Sequence, residues 1–434
     1  MLRSIFRHVL QEGRAWRSAR RARRASAALR QARGLHERGD LAGARAVCEG
    51  ILSRDPRDAG AHSLLGALNG QAGDLDRALI HFTEAIRIAP ASEEAHIGLG
   101  NIHRLQDAPE AAADCYRRAL RVNESSPVGH FSLGMVLRQL HDFRAAIEHL
   151  DRAFALSPDL YEAAKECVLL QIHVGEYEAA IALSSKALDT HRGAGELHAA
   201  LGLAYQKLHR PQAALKCYEQ ARALGYSSAE LLNNSGYVLQ ELGRLPEALA
   251  HYEEAIALQP DFPVARFYRA LARLLTGDYA HGWPEYETRL ISEDRPRRAS
   301  SHPRWNGEPL TGRNILVWSE QGLGDEIMFA SCLPQMIGAA RYCMIECDPK
   351  LETLFRRSFP QAQVYAARPD RSLPENIMIE SIDCEVPMGS LPLYMRQSLG
   401  DFPHHHGYLR GDSGRDRKST RLNSSHMSES RMPS

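Results

Sequence analysis

Between Ser319 and Glu326 the chain reads Ser-Glu-Gln-Gly-Leu-Gly-Asp-Glu, a stretch whose residue types suit work on a hydroxyl or an anion. Gly322 and Gly324 let backbone N–H groups approach a substrate closely. A helix starting here would favour negative charge at its first turn. Asp325 would stand at that start, where a carboxylate held beside an acceptor hydroxyl can act as a general base; the plainer alternative is a helix cap. No Lys-Ser/Thr follows the glycines, so the stretch is not a nucleotide P-loop. Metal chemistry has no comparable pattern. The eight cysteines are scattered, and Cys343 and Cys347, on one face of a predicted strand, lack partner ligands. The run His404-His405-His406 has no acidic partners and reads as solvated, so no metal is expected.

The elements that must position this loop are short apolar runs alternating with helical stretches. Asn314 to Trp318 reads as a strand ending just before the loop, with a helix over Glu326 to Ala340 after it. A strand over Tyr342 to Glu346, a helix over Pro349 to Phe359 and a strand over Gln363 to Ala366 follow. Such alternation predicts a parallel sheet with helices on its faces, here one modest Rossmann-like layer over 310–411. Ligands of open α/β sheets bind outside the carboxyl ends of the strands, which is where this loop falls. Upstream, 293–309 is charged and rich in proline and reads as a linker.

Before the linker the chain repeats. Ala44, Ala78, Ala112, Ala146, Ala180, Ala214 and Ala248 are spaced by 34 residues, and Gly282 continues the series. In the same phase run Gly66, Gly100, Gly134, Gly202 and Gly236; Phe82, Tyr116, Leu150, Tyr218, Tyr252 and Tyr286; and Ala85, Ala119, Ala153, Ala187, Ala221 and Ala255. Proline recurs at Pro56, Pro90, Pro158 and Pro260, and turn signals fall at Gly39, Gly73, Gly175, Gly243 and Gly277. This is the tetratricopeptide signature: about eight helix hairpins over 25–292, each too small to bury its own apolar face. The small columns are expected at helix crossings, with the bulky column filling the space between hairpins. The fifth repeat, with Val168 in the small column and Ser184 in the bulky one, is expected to pack less tightly. The fold class is therefore mostly α, a helical-hairpin solenoid followed by one partial Rossmann-like domain.

Lys and Arg total 53, as do Asp and Glu, a balance that gives no sign of nucleic-acid binding. No run is long enough to span a bilayer and no signal-like apolar core follows the N-terminal charges, so a cytoplasmic protein with reduced thiols is expected. Residues 1–24 carry eight arginines against the single acid Glu12, with Phe6, Leu10 and Trp16 interleaved. That segment reads as a basic amphipathic helix, either a solvated cap of the array or a membrane-surface contact; an organellar transit peptide has the same composition. The tail 412–434 reads as disordered, and 416–434 as the translation of a short-read sequencing adapter, so the gene is expected to be truncated there.

Gly277-Asp278-Tyr279, Gly282-Trp283-Pro284, Tyr286-Glu287, Arg289, Pro303, Trp305, Gly307 and Leu310, followed by Glu320-Gln321-Gly322-Leu323-Gly324-Asp325 and Pro334, resemble repeat-linked bacterial glycosyltransferases. Ile382-Asp383, Val386-Pro387, Ser390-Leu391-Pro392 and Gly407-Tyr408-Leu409 fit the later part of the same region. The resemblance implies a heptosyltransferase-like, GT-B catalytic region with Asp325 as base and Glu320, Gln321, Gly322 and Gly324 as the acceptor loop. It also implies a nucleotide-sugar donor held mainly by a second domain, so this fragment would bind none itself. The array would recruit a protein acceptor, of which flagellin-type surface proteins are the family-level example. Candidate groove residues are Asn101, Arg104, Phe131, Arg138, Lys165, Asn233 and Tyr237, with Ile97 and Met135 beside them. They form neither the asparagine ladder of O-GlcNAc transferases nor the carboxylate clamp of chaperone-binding arrays. The alternative is a non-catalytic interaction scaffold binding a protein or peptide.

Overall fold

The computed structural model describes residues 26–291, 302–370, 372–373, 382–403 and 407–411. The basic segment 1–24, residues 293–301 of the expected linker, the histidine run 404–406 and the tail 412–434 lie outside the described residues. The chain divides into two compact units, Met1–Tyr226 and Ser227–Ser434.

In the first unit every described helix belongs to a hairpin. A helix over 26–37 pairs with Leu41–Leu52, Ala59–Gln71 with Leu75–Ile88, and Glu93–Leu105 with Pro109–Val122. Pro127–Gln139 pairs with Phe143–Leu156, Tyr161–Val174 with Tyr177–Thr190, and Gly195–Lys207 with Pro211–Ala223. Side chains satisfy the open N–H groups at many starts. Asp40, Asp74 and Asp142 accept from the N–H groups of Gly43, Arg77 and Ala145 at 2.8, 3.1 and 3.4 Å. Ser92 and Ser126 accept from Ala95 and Gly129 at 3.2 and 2.9 Å. The bend between the helices of a pair needs one left-handed residue. Gly39, Gly73 and Gly175 supply it at φ 81°, 79° and 87°, while Asp107, His141 and His209 take the same place at 55°, 60° and 53°.

The alanine columns stand where expected: Ala44, Ala78, Ala112, Ala146, Ala180 and Ala214 have no exposed surface, nor have Ala85, Ala119, Ala153, Ala187 and Ala221. The glycine and bulky columns turn out to be two halves of one contact. A Cβ at Gly100 would lie 2.6 Å from the Tyr116 ring of the same hairpin, at Gly134 2.7 Å from Leu150, and at Gly202 2.6 Å from Tyr218. The bulky column is thus seated first on its own hairpin, although Phe82 also reaches Gly98 of the next. In the fifth repeat the helices Tyr161–Val174 and Tyr177–Thr190 meet less extensively than those of the hairpins on either side, as expected. Val168 and Ser184 are nevertheless both fully buried, because the large and small members of the pair have exchanged helices.

In the second unit Ala229–Glu241 pairs with Leu245–Leu258, and Pro263–Leu275 with Tyr279–Tyr286, which runs into a 3-10 turn, Glu287–Leu290. The sheet has strands β1 (Asn314–Trp318), β2 (Tyr342–Cys347), β3 (Gln363–Ala366) and β4 (Cys384–Pro387) in the order β3-β2-β1-β4, with every pairing parallel. Strand β4 was not anticipated. The helix expected over Glu326 to Ala340 starts earlier and is broken into Leu323–Phe329, a 3-10 turn and Leu333–Ala339. Pro334 lies in the first turn of the second piece, where its missing N–H costs nothing. The helix expected over Pro349 to Phe359 is confined to Glu352–Ser358.

Residues 302–309 do more than link. Trp305 donates its N–H to the Glu385 carbonyl at 2.8 Å, and Glu385 donates to the Pro303 carbonyl at 3.0 Å, so this segment covers the outer edge of β4. Ile315, Val317, Ile345, Val364 and Val386 form one core with Trp305, Phe329 and Phe355, and Trp283 and Tyr286 of the last hairpin belong to that same core. Cys343 and Cys347 are both buried in it. Burial pushes the Cys343 thiol up to about 12, the behaviour of an apolar filler rather than a reactive ligand.

Candidate functional site

Two places merit a functional reading, one in each unit. In the first unit a depression of about 460 Å³ opens between hairpins, with Phe82, Ile97 and Gly98 in its lining, Glu93 and Glu94 in its wall and Val128 at its side. Val128 is 54% exposed, and so is Leu105, at 56%, beside the adjoining hollow. Of the residues expected to line a groove, Asn101 is exposed and accepts from the Tyr116 hydroxyl at 2.7 Å. Arg104 is exposed beside it. Arg138 pairs with Glu166 at 2.7 Å and Lys165 with Glu196 at 3.2 Å, so both charges are already answered within the array. Phe131 is half-buried against the core. In the second unit Tyr237 stands edge-on to Tyr268. Asn233, at 5% exposure, is buried and not open to a groove.

The second place is the loop after β1. The last hairpin sends Arg289 into it, and this guanidinium is 1% exposed. Arg289 bonds Glu320 at 2.9 Å, Glu287 at 2.6 Å and the Ser390 hydroxyl at 2.8 Å. The Glu287 carboxylate also meets Arg304 and accepts from Ser390. Burial works against the charge on Arg289, but Glu320 and Glu287 outweigh it and hold the guanidinium above its ordinary value. Glu320 further accepts from the Gly389 N–H at 3.1 Å. It is thus a tie between loop, last hairpin and β4 end, a role its place in the motif did not disclose.

Gln321 sits between Tyr286, Arg289 and Asp325. Turned to satisfy both ends of its amide, it accepts from Arg289 at 2.8 Å and donates to Asp325 at 3.2 Å. Asp325 is not the residue that opens the helix. Gly322 is, and the Asp325 carboxylate reaches back to its N–H at 3.3 Å from the third helical position. Gly324 has open space beside its Cα. The next residue, Glu326, was not singled out in the sequence. It is 3% exposed and accepts from the Asp348 N–H at 2.9 Å. Its carboxyl is raised to about 7 by burial, against the pull of that hydrogen bond. Among the described residues no group of three or more His, Cys, Asp or Glu side chains could hold a metal ion, and no helix is long and apolar enough to cross a membrane.

Five stretches, 29–93, 70–127, 131–195, 199–263 and 236–294, match the profile of the tetratricopeptide repeat. The chain belongs to the tetratricopeptide repeat family. It is also similar to Protein FlbA of Caulobacter vibrioides, 24% identical over 391 residues, 87% of this chain and 60% of FlbA. That alignment is longer than the repeat region, so it reaches into the sheet. BBSome complex member BBS4 of Bos taurus is 26% identical over 218 residues, 50% of this chain and 42% of its own length. The anaphase-promoting complex subunit cut9 of Schizosaccharomyces pombe is 22% identical over 234 residues, 52% of this chain and 35% of its own. The chain therefore spans between a third and three fifths of these relatives. A solved structure from the functional characterization of Pseudomonas aeruginosa pilF superposes with a TM-score of 0.43 at 19% identity, over 50% of this chain and 99% of the other.

Proposed function

We propose that this protein is an interaction scaffold whose tetratricopeptide hairpins bind an extended or helical peptide segment of a partner protein. The observation that carries this reading is the apolar depression along Phe82, Ile97 and Gly98, flanked by the exposed Val128 and Leu105. Apolar side chains left in water beside a concave lining gain by being covered. Two relatives are named as members of multiprotein complexes, which supports the same reading. The test is selection from a random-peptide display library on the purified protein and on Val128→Glu/Leu105→Glu, both changes at exposed positions. Peptides sharing an apolar motif that hold to the parent and not to the variant support the groove. Equal recovery on both proteins moves binding elsewhere and removes this reading.

One observation favours a second reading, a sugar transferase fragment that uses a nucleotide-sugar donor. The Glu320–Asp325 loop lies at the carboxyl end of β1, where the chain order turns from β2 on one side to β4 on the other, the usual ligand position in such sheets. Asp325 would then be the base toward an acceptor hydroxyl. In a chain extended to the full length of FlbA, Asp325→Asn should preserve the fold and lower sugar transfer about 10²–10⁴-fold; unchanged transfer would leave Asp325 a helix-capping residue.

A further inference from the structure

Two hairpins of the first unit carry the same histidine arrangement. His62 and His81 face each other with their Nδ1 atoms 3.0 Å apart, and His130 and His149 with theirs 2.9 Å apart. The first histidine of each pair also meets a carbonyl six residues upstream through Nε2, Pro56 at 3.1 Å and Glu124 at 3.0 Å. The pairs sit two repeat periods apart in register, and ring centroids are 5.3 and 5.1 Å apart. In the hairpin between them His96 keeps the carbonyl contact, to Pro90 at 2.9 Å, but Cys115 stands where the second histidine would be. There the His96 Nδ1 has no partner among the described residues. The carbonyl contact therefore does not depend on a second histidine; what the second histidine adds is the bridge between the two helices.

The carbonyl fixes the tautomer. His62 and His130 must carry hydrogen on Nε2 to donate there, which leaves the Nδ1 lone pair to accept from the Nδ1–H of His81 or His149. A second hydrogen on the Nδ1 of His62 or His130 would meet the partner's N–H head to head unless that partner moved its hydrogen to Nε2, so the bridge would have to reorganise. A proton on His81 or His149 would keep the bridge but place a charge in a half-buried site already facing cations. Burial is what chiefly acts against protonation of His81, followed by His62 from helix Ala59–Gln71, Arg45 from Leu41–Leu52 and Arg77 from its own helix. His149 is likewise lowered, first by burial and then by His130 from Pro127–Gln139 and Arg117 from Pro109–Val122, with Glu148 of its own helix opposing. Glu84 of Leu75–Ile88 lies within reach of His62. The arginines also make these pairs poor seats for a divalent cation, as does the lack of a third ligand among the described residues.

We propose that His62–His81 and His130–His149 are acid-sensitive staples that join the helices of hairpins 59–88 and 127–156 while neutral and loosen them as the pH falls below neutrality. A histidine whose folded value lies below its unfolded value of 6.5 contributes stability that is complete above 6.5 and is lost as the pH falls beneath it. The test uses the full chain in two measurements. Site-assigned imidazole NMR titration should place His81 and His149 below 6.5. Urea denaturation between pH 8 and pH 5, followed in the first unit, should show the wild type losing stability, and H81N/H149N, whose amides still donate to the partner Nδ1 and do not titrate, losing less. Titration of His81 and His149 at or above 6.5, or equal loss on acidification in wild type and variant, overturns the proposal. If the variant does not fold, the wild-type resonances decide alone.

Discussion

At the scale of single residues, Arg289 and Glu326 show how differently two buried ionisable groups can be held. Arg289 is enclosed by carboxylates from its own turn and from the loop after β1. Taking out one member of a buried pair leaves the other charge desolvated and alone, which costs about 3–5 kcal/mol. Arg289→Met should lower the stability of the second unit by that order in chemical denaturation at neutral pH. Glu326 is held chiefly by burial, and its carboxyl is raised to about 7. The folded state then holds a proton that the unfolded state gives up near 4.5, so stability falls as the pH rises from 4.5 to about 7. Glu326→Gln, which still accepts from the Asp348 N–H, should be more stable than wild type above pH 7. That advantage should vanish toward pH 4.5, as thermal melts across the range will show. Neither role was legible in the sequence. Arg289 and Glu320 are brought together only by the fold, and Glu326 sits unmarked in a run of polar residues.

At the scale of elements, the repeat was legible because each hairpin solves the same problem with the same residues. Gly134 and Leu150 belong to different helices, yet their spacing recurs as Gly100 and Tyr116, so the period reports a contact even before its geometry is known. What the period conceals is exchange between the two halves of a contact, as at Val168 and Ser184, where a departure from the pattern leaves burial intact. Strand β4 was missed for another reason: Cys384 and Val386 alternate with Glu385, but four residues are too few to mark a strand, and the segment gains its identity from β1 and the 303–305 segment on either side. The hairpin bends give the sharpest element-level prediction. His141 holds φ 60° at a place that glycine fills in other hairpins, a conformation that costs a residue with a side chain roughly 1–2 kcal/mol. Its side chain stands edge-on to Phe143, a contact glycine would forgo. His141→Gly should nonetheless raise stability by about 1 kcal/mol in urea denaturation; a loss would mean that the ring contact outweighs the backbone strain.

At the scale of the whole molecule, the hairpins are not equivalent, although they share one pattern. Most meet only helices like themselves. The last one gives Trp283 and Tyr286 to the sheet's core, donates from the Trp283 indole to the Arg396 carbonyl at 2.8 Å, and supplies Arg289 to the loop. The gene can therefore drift in copy number in one place and not in another. Excision of residues 161–194, one full period, rejoins the columns in phase and should leave a cooperatively melting protein with native helicity by circular dichroism. Excision of one period ending at Leu290 should not, since the sheet would inherit a hairpin without the tryptophan and arginine it is built around. Lineages of this protein should accordingly lengthen or shorten from the interior of the array, with the hairpin next to the sheet as the fixed point from which every other repeat is counted.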